Sequence, residues 1–178
     1  MVDDDSRSMA DERRRLLGEL ELERNQLIRN IETCRIRDIE RPFIGEWSLK
    51  DIVGHVATWE AEALTALRHL RAGLHPAILD IDRSEVDEFN ADHVERKRDI
   101  DFWSIYEQLK GTRARLLDEI EDIDDDTLVA DGSLHAAIVR SVTDHDRHHW
   151  HDVAAKLAGM PGARPERAEP VQEPVPAE

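Results

Sequence analysis

Four stretches of this chain carry apolar side chains three and four residues apart, with few helix breakers inside them. That period suits helices that each bury one face, and it excludes a sheet. The first stripe, Leu16, Leu17, Leu20, Leu27, Ile28 and Ile31, predicts a helix from about Met9 to Cys34. Ser48, with Asp51 three residues on, predicts the start of a second, which carries Ile52, His55, Val56, Trp59, Ala63 and Leu67. It should stop near Arg71-Ala72-Gly73, with Pro76 beyond. Asp101 is the expected cap of a third helix striped by Trp103, Tyr106, Leu109, Leu116, Leu117 and Ile120. The fourth, from about Ser133 to Ala158, reads Leu134, Ile138, Val142, His145, His149, Val153, Leu157, and Gly159 and Pro161 end it.

The connections differ in length. Pro42 punctuates a loop through Asp38 to Glu46, and an acidic turn spans Asp122 to Gly132. Residues 74–100 are the least regular, and there Ser84 is expected to cap a short helix containing Val86, Phe89 and Val94. The expected architecture is all-α: an antiparallel four-helix bundle with a long crossover, containing a short extra helix, between main helices 2 and 3. The bundle is expected over residues 8–159, and residues 160–178, rich in Pro, Glu and Ala, as a disordered tail.

Composition narrows the partners. The net charge of −16 repels phosphate backbones and anionic bilayers, so neither nucleic acid nor membrane is an expected partner. The short basic clusters Arg13-Arg14-Arg15 and Glu95-Arg96-Lys97-Arg98 are flanked by acids and suit solvated helix faces. One cysteine, Cys34, excludes an internal disulfide and a cysteine-rich zinc site. It has no basic neighbour in sequence and fits a small packed residue. The acidic start Met1-Val2-Asp3-Asp4-Asp5 is unlike a signal peptide, and no apolar run approaches the roughly 20 residues that span a bilayer. A cytoplasmic location is expected.

His145 and His149 continue the core series of the fourth helix, one turn apart, whereas His148 and His151 are rotated off it. A core-facing imidazole needs a polar partner, because leaving it unsatisfied costs on the order of 1–3 kcal/mol. His55 is likewise an imidazole at an otherwise apolar helical position. If the two helices face each other, three nitrogens converge on one point, a set that suits Zn, Ni, Fe or Cu and leaves coordination positions open. Spacing alone leaves a second reading, an exposed histidine cluster complementing the helix dipole, with His55 a satisfied core residue. Asp144, Asp146 and Asp152 surround the cluster, and one of them could orient a ring. His69, His75, His93 and His135 share no spacing and are expected on the surface. Trp47 and Trp59 bracket His55 as core or pocket wall.

His145-Asp146-Arg147-His148-His149 differs from the H-E-x-x-H of zinc peptidases, because Asp replaces the Glu that acts as base. Where the extended motif needs Gly and His, the chain has Asp152 and Ala155. A peptidase is not supported.

The segment from Gly45-Glu46-Trp47-Ser48 through Asp51 and His55 to Trp59-Glu60 resembles the W-S-x-x-D-x-x-x-H-x-x-x-W-E stretch of DinB-like four-helix bundle proteins. Thr143-Asp144-His145-Asp146-Arg147-His148-His149 resembles that superfamily's H-x-x-x-H, and Asp87-Glu88-Phe89-Asn90 is similar to a D-x-x-N stretch in some members. The resemblance covers roughly residues 10–158. It implies a divalent metal, with Zn, Ni or Fe the expected ions, held by His55, His145 and His149. It also implies company with YfiT-type hydrolases, mycothiol-dependent maleylpyruvate isomerases, bacillithiol transferases and DfsB-type protective proteins. Homodimers are common among these.

Two functions are therefore expected. One is a metal-dependent transferase of a low-molecular-weight thiol, or a hydrolase, acting on a small-molecule substrate. The other is a non-catalytic binding or protective bundle, with a pocket lined by Trp47, Trp59 and Trp103. A fourth side chain closing the metal would argue against the enzyme.

Overall fold

Side-chain caps set where three of the four long helices begin. The computed structural model describes residues 2–159, and the expected tail at 160–178 lies outside them. Helix α1 spans Val2–Thr33, longer than its apolar stripe predicts. Helix α2, Leu49–Arg71, starts at the Ser48/Asp51 capping box. It ends before Gly73, whose φ of 71° is the left-handed conformation that closes helices.

Helix α3, Arg83–Arg96, is the short helix of the crossover. Its cap is Asp82 rather than Ser84, because the Asp82 carboxylate accepts from the amides of both Ser84 and Glu85. Helix α4 runs Phe102–Glu121 from the Asp101 cap. The expected acidic turn contains a one-turn helix α5, Asp125–Val129, which forms because Leu128 plugs the core. Helix α6, Leu134–Leu157, starts at Ser133.

The molecule is an all-α bundle of α1, α2, α4 and α6. Consecutive long helices, α1 with α2 and α4 with α6, run antiparallel, as opposite ends of each pair share the two core clusters. The crossover at 72–101 returns the chain to the end where α2 begins, so α2 and α4 run parallel. By the same geometry α1 lies parallel to α6, with Glu12 reaching Arg140 and Glu23 reaching Arg147.

One core cluster, at the end where α1 enters the bundle, includes Leu16, Leu20, Leu67, Leu116, Ile120, Leu128 and Val139. The other includes Leu27, Ile31, Leu49, Ile52, Val56, Ile105, Leu109 and Val153. Before α2, Phe43 and Ile44 are buried, and a tight turn at Gly45 (φ 58°) brings Trp47 back to pair with Ile44. That turn sets Trp47 beside the first turns of α2. No helix among the described residues is long and apolar enough to cross a membrane.

Candidate metal centre

α2 and α6 meet where each carries histidine on its inner face. His55 Nε2 lies 2.9 Å from His145 Nε2, and His149 Nε2 lies 3.0 Å from the same atom. The three candidate ligand atoms all fall within 4.8 Å of one another. His55 and His149 are buried, and His145 keeps partial exposure, so the cluster opens on the His145 side. The His145–His149 pair is the one-turn repeat of α6, and His55 is delivered by the Ser48 capping box, which fixes where α2 starts.

Burial holds all three imidazoles well below their usual pKa of 6.5. Mutual repulsion adds to it, and at His55 so does the Lys97 ammonium. Neutral rings carry the lone pairs that ligate, so a cation entering at neutral pH displaces few protons. Neutral nitrogens about 3 Å apart must share either a proton or a cation. The donor set is all nitrogen, with no fourth His, Cys, Asp or Glu in the group among the described residues. It fits a borderline cation with coordination positions left over. The residues His55, His145 and His149 could hold a metal ion.

Aromatic rings wall the cluster. The Trp47 ring centroid is 4.8 Å from that of His55, and Trp59 is 6.3 Å from His55 and 6.5 Å from His145. From α3, Phe89 packs on Trp59 at 4.9 Å, and Asn90 Oδ1 accepts from Trp59 Nε1 at 2.8 Å. Lys97, just after α3, donates to the Gly54 carbonyl at 2.6 Å and to Thr58 Oγ1. Its stem crosses Gly54 so closely that a Cβ there would lie 3.2 Å from Lys97 Cδ. Burial brings the Lys97 ammonium down to about 8.

Several expected site residues fall elsewhere. Trp103 is 65% exposed, and among the described residues its aromatic partners are Phe102 and Tyr106. The core position belongs to its neighbour Phe102, so the expected three-tryptophan pocket loses a wall. None of the three nearby acids joins the ligand group. Asp144 pairs with Arg147, Asp152 lies 3.4 Å from His148, and Asp146 turns into the core. His75 is exposed; His69, His93 and His135 are partly covered, and the His93 ring packs at a tilt against Phe89 with centroids 4.2 Å apart. Cys34 is partly buried with its thiol toward the Asn30 carbonyl, and burial pushes it up to about 11.

Sequence reasoning missed a buried ionic layer beside the histidines. Arg24 of α1 holds Asp146 of α6 with two hydrogen bonds, 3.0 and 2.9 Å, and Glu60 of α2 at 3.1 Å. Arg113 of α4 bridges the same two carboxylates and donates to the Leu20 carbonyl at 2.8 Å. Each long helix thus contributes one charge, and the four cancel. The signal was in the stripes: Arg24 lies between Leu20 and Leu27, Glu60 between Val56 and Ala63, Arg113 between Leu109 and Leu116, and Asp146 between Val142 and Val153. Each is a charge standing at an apolar position.

No curated protein and no solved structure shows significant similarity to the chain. A family model, that of the DinB superfamily, matches residues 19–153. That span holds all three histidines, both flanking tryptophans and the four-charge layer. The helical bundle and the family match agree, and the chain belongs to the DinB superfamily.

Proposed function

We propose that this protein is a metalloenzyme in which His55, His145 and His149 hold one divalent cation, Zn, Ni or Fe, facing a small-molecule substrate. The reaction class proposed is transfer of a low-molecular-weight thiol, with hydrolysis as the alternative on the same site. The observation that carries the reading is the three-membered donor set: neutral, buried at His55 and His149, half-buried at His145, and without a fourth side-chain ligand among the described residues. A purely structural site is normally closed by four protein ligands. When bound, such a cation would supply Lewis acidity, stabilising a thiolate or lowering the pKa of bound water.

The chain's own residues prepare that chemistry. Burial keeps the three rings neutral, and Trp47 and Trp59 exclude water from the His55 side. His145, the least enclosed of the three, marks where a substrate approaches.

The test is elemental analysis of the untagged protein beside His55→Ala and His149→Ala. Near-stoichiometric metal in the parent, lost in both variants while helical circular dichroism persists, supports the site. It then justifies screening thiol transfer against hydrolysis. A parent that takes up no Zn, Ni or Fe refutes the reading.

A further inference from the structure

The four charges of the ionic layer lie next to the histidines, one on each long helix, and none is more than 8% exposed. Their contacts are directional. Arg24 grips Asp146 with two nitrogens, Nε at 3.0 Å and Nη2 at 2.9 Å, so the α6 carboxylate is held in one orientation. The two acids, Glu60 on α2 and Asp146 on α6, repel each other and are joined through the same two guanidinium groups. Their apolar neighbours carry no such information. One turn either side of Asp146 stand Val142 and Trp150, and around Glu60 stand Val56 and Leu64. Layers of this kind tolerate repacking and lose a unique arrangement before they lose stability. A one-turn slip of α6 would keep an apolar core but set Val142 or Trp150 against both arginines, leaving two buried cations with Glu60 alone. Asp146 lies between His145 and His149 on α6, and Glu60 follows His55 by about a turn and a half on α2. Fixing the two carboxylates therefore fixes the height and rotation at which the three imidazoles meet.

We propose that Arg24, Glu60, Arg113 and Asp146 are positioning residues: the layer sets the register of α6 against α2 and so brings His145 and His149 opposite His55. In paired helices a buried polar group selects one register among several while adding little net stability. The register half of this inference stands without a metal; its consequence for ligation rests on the metal reading above.

The register is measured first, without metal, as the distance between spin labels on exposed positions of the two helices. These are Thr65→Cys on α2 and Arg140→Cys on α6, in a Cys34→Ala background. The parent layer should give one narrow distance. An apolar layer of similar volume, Arg24→Met, Glu60→Leu, Arg113→Met and Asp146→Leu together, should stay helical and melt cooperatively. It should nonetheless show a second distance or a spread of several ångströms, since one helical turn rises about 5.4 Å. Arg24→Lys, which keeps the charge and loses the two-nitrogen grip, should broaden the distance as well. Zinc affinity by chelator competition should fall roughly 10-fold or more in the apolar layer, because ligands shifted along a helix no longer converge. A single parent-like distance in the apolar layer overturns the proposal, and a spread with parent-like zinc affinity overturns its consequence for the site. If the apolar layer does not fold, Arg24→Lys decides alone, and a match to the parent in distance and affinity sinks the proposal. A parent that takes up no zinc while the layers still differ in distance supports the register half and refutes the metal reading alone.

Discussion

Asp146 stands one residue from His145 and three from His149, yet its carboxylate turns away from both toward Arg24 and Arg113. It is fully buried, so its charge depends on those two guanidinium groups. Removing one member of such a network strands the others, and Asp146→Ala should cost roughly 3–5 kcal/mol in urea unfolding. Replacing Arg24, Glu60, Arg113 and Asp146 together by apolar residues of similar volume should recover most of that loss. If Asp146→Ala costs less than about 1 kcal/mol, the layer is not holding the core. The histidines give a separate prediction. Their folded pKa values lie well below the ordinary 6.5, so below that pH the unfolded chain takes up more protons than the folded one. Their contribution is intact above 6.5 and is lost as pH falls. The urea midpoint of the metal-free protein should therefore drop between neutral pH and about pH 5.5, and less so in His55→Ala with His149→Ala.

Elements declared by local chemistry were legible in the sequence. Ser48, Asp101 and Ser133 announce their helices because a cap and its partners lie within three residues. The misplaced cap of α3 has the same logic: Asp82 outcompetes Ser84 because a carboxylate accepts from two amides at once. Helix α5 was hidden, since five residues carry no period and only the burial of Leu128 explains it. The histidine pair of α6 was visible as spacing. Its meeting with His55 required knowing that α2 faces α6, which periodicity does not state. Glu60 and Asp146 were likewise unreadable as partners, because the arginines that neutralise them lie far off in sequence. α3 invites a prediction of its own. It packs chiefly on α2, and among its described side chains only Val86 and Asn90 are buried. Its amides should exchange with deuterium well before those of α2 and α6. Exchange of α3 as slow as that of α2 would show it to be part of the bundle core.

Across the whole molecule, the proposed cation would act as a strap. The long helices are paired by strong packing as α1 with α6 and α2 with α4, and α2 with α6 joins the two pairs. The histidine cluster sits on that joining interface, with His55 from one pair and His145 and His149 from the other. A ligand that binds only the folded state stabilises it according to its concentration over its Kd, about 2.7 kcal/mol at a hundredfold excess. For a chain of this length that amounts to a rise in Tm of roughly 5–10 °C. Zinc should therefore raise the Tm of the parent, and a chelator should reverse the shift. His149→Ala should melt near the metal-free parent and respond little to zinc, because a ligand is lost while the ionic layer remains. An equal zinc shift in parent and variant would mean that the ion binds elsewhere, on the acidic surface or at the remaining histidines. Deuterium exchange could then locate it: protection from zinc belongs along the α2–α6 contact if the strap is real, and a general slowing would point to surface charge instead.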